Sequence, residues 1–345
     1  MVNTMRIAGC LLLLGLLASP PAGGESAGAI TAWGWTDDGQ CDVPPPNSGF
    51  VALGAGWRHS LGVKANGSVS AWGSNSDGQC NVPAPNTEFT AVAGGGAHSV
   101  GLKANGTVVA WGRNDHGQCN VPAPNAGFVM VAAGDVHTLG LRGDSIVAWG
   151  SNSYGQCDVP APNASFVAVA AGDYHSLGLK VDGSVVAWGY TYYGQCNVPA
   201  PNADFVAVSA GYGHSLGLKA DGTIVAWGRD VYGQCNVPAP NANFVAVAAG
   251  REHSLGLKAD GAVVAWGYNN HEQRNVPAPN AGFVEVVAGG WHNLGRKGLT
   301  GDLNCDGAAD FGDINAFVLY LSNRPAWQAV FPGCPPENGD INQDE

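Results

Sequence analysis

A phrase of 39 residues is written seven times in this 345-residue chain, and that periodicity restricts the possible folds more than any single residue does. The fifth copy reads FVAVSAGYGHSLGLKADGTIVAWGRDVYGQCNVPAPNAN from Phe205. Its Phe recurs at Phe50, Phe89, Phe128, Phe166, Phe205, Phe244 and Phe283, and its His at His59, His98, His137, His175, His214, His253 and His292. The spacing is 39 throughout except for one step of 38, where LRGDSIV replaces LKADGTIV. A deletion there falls in a turn, where a chain tolerates it. Such a period marks stacked supersecondary units that bury a shared core.

Each unit reads as strands. FVAVAAG and SVVAWG are short β-branched and aromatic runs, HSLGLK alternates, and Asp-Gly or Asn-Gly marks a tight hairpin between the second run and the third. The prolines of GQCNVPAPNA lack the N–H a ladder needs, so this stretch is expected to return along the outside. Three strands and an outer segment per unit, repeated radially, give a β-propeller. The AWG strand also occurs seven times, from Trp33 to Trp266, but the first copy precedes the first FVA run and the last FVE run has none after it. Residues 29–43 must therefore complete the blade begun by residues 283–298. The fold class expected is all-β, a seven-bladed propeller over 29–298 closed by its N- and C-terminal strands.

The rest of the chain frames that domain. Residues 1–24 carry Arg6, an apolar run from Ile7 to Ala18 and then small residues and prolines, which reads as an export signal too short to span a bilayer. A secreted or periplasmic location follows. The net charge is −12, and residues 301–345 hold eight acidic residues against Arg324 alone. Nucleic acid and anionic membrane are poor partners for such a chain.

Cys41, Cys80, Cys119, Cys157, Cys196 and Cys235 share one place in successive units, with Arg274 in the seventh. Points related by sevenfold rotation on an outer segment stand too far apart for a disulfide, whose Cα atoms lie about 4.4–6.8 Å apart. Unpaired, buried thiols acting as small hydrophobes are expected. The constant histidines are expected to bond neighbouring backbone, since one imidazole per blade cannot converge on a single metal ion.

The motif AGxxHSLxLKxDGxVxAWGxxxxGQ, as in AGDYHSLGLKVDGSVVAWGYTYYGQ, resembles the repeat of the regulator of chromosome condensation family across residues 29–298. That resemblance implies a seven-bladed propeller. WGSNSDGQCNVPAP and WGRNDHGQCNVPAP are also similar to secreted propeller inhibitors of β-lactamase, which implies a propeller that grips a protein with one face.

GDLNCDGAADFGDINAF, residues 301–317, places Asp302, Asn304, Asp306, Asp310 and Asp313 at positions 1, 3, 5, 9 and 12 of a calcium loop, with the Ala308 carbonyl as a further ligand and Gly307 at the turn. Calcium is the one cofactor expected. Ile314, Phe317, Val318 and Leu321 form a helical stripe after it, so a small α-helical tail like an EF-hand is expected. Asp at position 12 resembles a dockerin repeat, which implies a cohesin as possible partner. NGDINQDE begins a second loop that is not completed in this sequence. Cys305 and Cys334, the tail's two thiols, are expected to pair.

What varies between units points to a binding surface. The two residues between AG and His and the four or five between WG and Gln belong to loops at the same end of every blade. They hold Trp35, Trp57, Tyr154, Tyr174, Tyr190, Tyr192, Tyr193, Tyr212, Tyr232, Tyr268 and Trp291, while the opposite loops repeat KADG and PAPNA. Rigid aromatic side chains suit a recognition face for a protein or a glycan. No catalytic constellation stands out. His116 beside Asp115 and His271 beside Glu272 lack a third orienting group. The alternative reading is an accessory component or enzyme of extracellular polysaccharide degradation attached through the dockerin-like tail, with Asp135 and Asp173 as the carboxylates an enzyme would need.

Overall fold

The computed structural model describes residues 29–298. The export signal 1–24 and the whole of 301–345, including the calcium ligands, the helix and the Cys305–Cys334 pair, lie outside the described residues. Among the described residues, twenty-one strands form seven three-stranded antiparallel sheets. Blades 1 to 7 are numbered here by their inner strands, which start at Phe50, Phe89, Phe128, Phe166, Phe205, Phe244 and Phe283. Inner strands of neighbouring blades touch one another around the ring, so they line the axis.

Blade 7 closes the circle. Its inner strand Phe283–Ala288 and middle strand His292–Lys297 take their outer strand, Ile30–Gly34, from the start of the propeller. Trp33 pairs with Asn293 and Gly34 with His292. Closure completes the seventh sheet, so that each blade keeps only one short outer edge at the rim. The 38-residue step is explained by the hairpin between His137–Arg142 and Ser145–Gly150, which turns on Gly143 and Asp144 alone.

The core lies between blades. Each hydrophobic cluster draws on two neighbours, as where Ile30 and Leu294 of blade 7 meet Phe50, Leu53 and Trp72 of blade 1. In every blade the inner-strand register slips just after the Phe, as between Phe50 and Ala52. The Phe ring then lies across a middle-strand glycine. A Cβ on Gly62 would fall 2.5 Å from the Phe50 ring, which is why HSLGLK keeps its Gly.

The outer return segment forms no fourth strand. Its asparagine does a strand's work instead: Asn202 Oδ1 accepts from Val185 N at 2.7 Å and Nδ2 donates to Val185 O at 2.8 Å. The same pair of bonds joins Asn47 to Ile30 and Asn86 to Val69. Prolines supply no donor, so a side-chain amide provides both halves of the missing ladder step.

Candidate functional site: the loop face and the axial mouth

The loop face rests on a polar seam repeated between all blades. His59 Nε2 lies 2.9 Å from Ser99 Oγ of blade 2, and Ser99 Oγ donates to Gln79 O at 2.8 Å. The same carbonyl accepts Trp111 Nε1 at 2.9 Å. At the seam of blades 6 and 7, Asn293 replaces the serine, taking His253 Nε2 on Oδ1 at 2.7 Å and donating to Gln273 O. Each hydroxyl spends its proton on the carbonyl and Asn293 Oδ1 can only accept, so each histidine carries a proton on Nε2, and the buried, unpartnered Nδ1 leaves the ring neutral. Burial lowers their pKa values to between about 3 and about 4. The histidines thus bond a side chain of the next blade rather than backbone. The Gly of AGxxH is required by the same ring, because a Cβ on Gly56 would collide with the His59 imidazole.

The repeat cysteines are unpaired, but they are half-buried and polar in use rather than buried hydrophobes. Cys80 Sγ donates to Ser74 O at 3.2 Å, and Cys119 Sγ to Arg113 O at 3.3 Å, each fastening the start of a face loop. Arg274 does this in its unit by donating to Gly267 O. Burial pushes these thiols up to about 11 or 12, which removes their nucleophilicity near neutrality.

The aromatic loop residues come together as an arc. Tyr154 meets Tyr190 at 4.9 Å and Tyr174 at 5.3 Å between centroids, Tyr190 meets Tyr192 and Tyr193, and Tyr193 meets Tyr212. Arg229 bridges onward, facing Tyr193, Tyr212 and Tyr232, and Tyr232 packs on Tyr268 at 4.8 Å. His271 stacks on Trp35 at 5.2 Å, and Trp35 meets Trp291 edge-on at the same distance. The arc runs from blade 3 to blade 7. The outer loops of blades 1 and 2, Ser74–Asp77 and Arg113–His116, are polar and hold no Tyr, Trp or Phe.

Several ring faces are already covered by arginines. Arg58 lies 4.6 Å from the Trp35 ring, and Arg251 faces Trp57, Tyr212 and Trp291 at 4.4–5.1 Å. Sequence reading found the aromatics and missed these guanidinium groups, although they occupy the same variable positions. Tyr192 is 78% exposed, Tyr154 51% and Tyr232 43%, so Tyr192 and Tyr154 are the most open members of the arc.

Trp57 does not stand on the arc's rim. It reaches across the ring from blade 1, its indole N–H toward Asp173 Oδ1 of blade 4 at 3.4 Å. Arg251 of blade 6 approaches Asp173 Oδ2 at 3.5 Å. Burial, reinforced by the charge of Asp135 in blade 3, pushes Asp173 up to about 7, and burial also raises Asp135. The two carboxylates of the enzyme alternative therefore both line the axial mouth, Asp173 beside Arg251 and Trp57 and Asp135 beside Tyr174. The two adjacent acid–base pairs are otherwise engaged. Asp115 pairs with Arg113 at 2.7 Å, and His271 is stacked.

The opposite face is uniform. Lys64, Lys103, Arg142, Lys180, Lys219, Lys258 and Lys297 each lie over the Phe of their own blade at 3.5–5.5 Å. These cations also donate to outer-segment carbonyls, such as Pro46 O from Lys64, so their charge is spent on the scaffold.

Solved structures of similar shape agree with this architecture. Prp20p from Saccharomyces cerevisiae superposes with a TM-score of 0.69 at 18% identity, covering 80% of this chain and 92% of that one. Human WBSCR16 gives 0.64 at 17% identity, over 79% and 100%. The receptor kinase CR4 ectodomain of Physcomitrella patens gives 0.59 at 23%, over 76% and 69%. At such identities the likeness concerns the fold alone. No curated protein matches the chain. The family model for the regulator of chromosome condensation (RCC1) repeat matches residues 50–79, 89–118, 128–156, 166–195, 205–234 and 244–273, leaving only the copy that is split between the propeller's two ends. The chain belongs to the RCC1 repeat family.

Proposed function

We propose that this propeller is a non-catalytic recognition module that binds a protein through the aromatic arc of its loop face. The observation that carries the reading is the confinement of the aromatic rings to one sector of one face, against a scaffold otherwise repeated seven times. Tyr and Arg clustered at a partly desolvated surface are the usual anchors of protein interfaces. A protein is favoured over a glycan because a sugar stacks on an open ring face. Here arginines lie over Trp35, Trp57, Tyr193, Tyr212, Tyr232 and Trp291, and most remaining rings meet edge to face. Prp20p, similar in fold, has binding properties toward Gsp1p and histones, and the yeast RCC1 protein has been solved with Kap60 bound.

Export through residues 1–24 and attachment through a calcium-bound tail belong to the same reading. Ile30 pairs with Arg296 at the end of blade 7 farthest from the loops, so both ends of the propeller leave from the hairpin face. A tail ligating calcium through Asp302, Asn304, Asp306, Asp310 and Asp313 and docking on a cohesin-like partner would leave the arc free. A carbohydrate-active role for the Asp135–Asp173 pair is the second reading.

The test is capture of exported proteins on the full-length chain beside a glycan array. A protein retained by the parent, crosslinked to blades 3 to 7 and lost on Tyr192→Ala with Tyr154→Ala, supports the proposal. Glycan binding with no protein retained, or crosslinks confined to the hairpin face, overturns it.

A further inference from the structure

We infer that the axial mouth of the loop face is a cation pocket, in which the carboxylates of Asp135 and Asp173, walled by Trp57, receive one ammonium or guanidinium group from a protein partner. The inner strands end in Ala and Gly around the axis, and this small lining leaves a cavity of about 70 Å³. Such a volume holds several waters or one amine head. Trp57, Asp135, Asp173 and Arg251 are the only residues larger than alanine that line it.

The charges there do not balance. Arg113 pairs with Asp115 at 2.7 Å and Arg229 with Glu252, so those ionic groups of the face are matched one to one, and Arg58 stands 3.6 Å from the single carboxylate of Asp38. At the axis two carboxylates meet one guanidinium. Arg251 is held over three rings, and its Nε stands 3.5 Å from Asp173 Oδ2 without making a hydrogen bond. Asp173 lines the cavity but is only 6% exposed, and its Oδ2 has no hydrogen-bond partner among the described residues. A buried carboxylate left so poorly served calls for another donor.

Proton affinity supports the same reading. Burial first and the charge of Asp135 second push Asp173 up to about 7 against the opposing charge of Arg251 and the Trp57 N–H; Tyr174 also faces it, and Arg113 and His116 lie near Asp135. An entering cation would displace that proton, so it should bind more tightly at pH 8 than at pH 6. The oxygen supply suits an organic cation. Calcium takes six to eight oxygens, whereas an ammonium needs a few acceptors and gains from the indole face. Among the described residues no cluster of three or more metal-ligating side chains occurs. Gly96 keeps the pocket open from blade 2, because a Cβ there would collide with the Asp135 carboxylate.

A protein as source of the cation rests on the reading of the arc proposed above. The pocket itself is tested with small probes, so either inference can fail alone. The measurement is the indole ¹⁵N–H signal of Trp57 in the full chain, titrated at pH 8 with methylammonium, the peptide Gly-Gly-Lys-Gly-Gly, its norleucine counterpart and calcium chloride. A saturable shift with methylammonium and the lysyl peptide, none with norleucine, and weakening by about tenfold or more in Asp173→Asn and Asp135→Asn at unchanged or higher melting temperature is the expected result. Gly96→Ala should weaken it too, and Lys219→Ala, on the far face, should not. No shift from either amine, equal shifts from the norleucine peptide, or calcium saturating the signal first would overturn the proposal. Methylammonium binding without peptide binding would overturn the protein source.

Discussion

The seams between blades and the loops above them are built from the same repeats, yet one is nearly constant and the other is not. Every seam needs a neutral imidazole bonded to a hydroxyl or amide, which in turn bonds a backbone carbonyl, with an indole closing on the same carbonyl at 3.1 Å or less. A change in any member leaves a buried polar group unpaired, so seven copies stay alike. The loops begin where that demand ends. Residues after AG and WG face solvent or one another, and there the chain places six linked tyrosines in one sector and serines, asparagines and aspartates in another. Repetition thus marks where stability is made, and departure from it marks where recognition is made.

Acid is the strongest way to break that contrast. The unfolded chain protonates histidine near pH 6.5, while the folded seams hold their imidazoles neutral down to about 3–4. Stability is therefore complete above about 6.5 and falls as pH drops through the window between these values. Each histidine costs about 1.4 kcal/mol per pH unit, so seven cost nearly ~10 kcal/mol per unit, enough to exhaust a typical domain stability of about 5–15 kcal/mol. Circular dichroism should show cooperative unfolding between about pH 6 and pH 4. A propeller still folded and cooperative at pH 4 would mean that the seams accept imidazolium.

Steric changes at one seam come next. Gly134→Ala drives a methyl into the His137 ring and the Gly172 carbonyl, and we expect a loss of about 3 kcal/mol or failure to fold. An unchanged melting temperature would show that the imidazole can move aside. Ser215→Ala is milder. It leaves His175 Nε2 without a partner and removes one of two donors from Gln195 O, for a loss of about 1–3 kcal/mol by urea titration.

The smallest stability effect should belong to the face. Tyr192→Ala should shift stability by less than about 0.5 kcal/mol while weakening a bound protein by roughly 1–2 kcal/mol or more. If melting and affinity fall together, the arc is part of the scaffold and the contrast between seam and loop dissolves.

Much of this was legible before any coordinate. Copy number, hairpin dipeptides and the misplaced first AWG required seven three-stranded blades and a shared closing blade, because strand period and turn chemistry are local. The aromatic face was legible too, from alternation alone. Other features were not. That Asn202 replaces a ladder step depends on a return path that prolines permit but do not specify. That Arg251, Arg229 and Arg58 cover aromatic rings requires knowing which loop of one blade leans on the next.

The sequence by itself determined the repeating unit, its strands, their closure and the end of the molecule at which variation collects, since each follows from spacing within a single copy. Only the tertiary structure decided what the variable residues do together. Trp57, Asp135, Asp173 and Arg251 stand in four different copies as far apart as 194 positions, and nothing local relates them. They meet because sevenfold closure brings every AG turn to one axis, where low dielectric and the absence of larger side chains let two carboxylates and one guanidinium feel each other's charge.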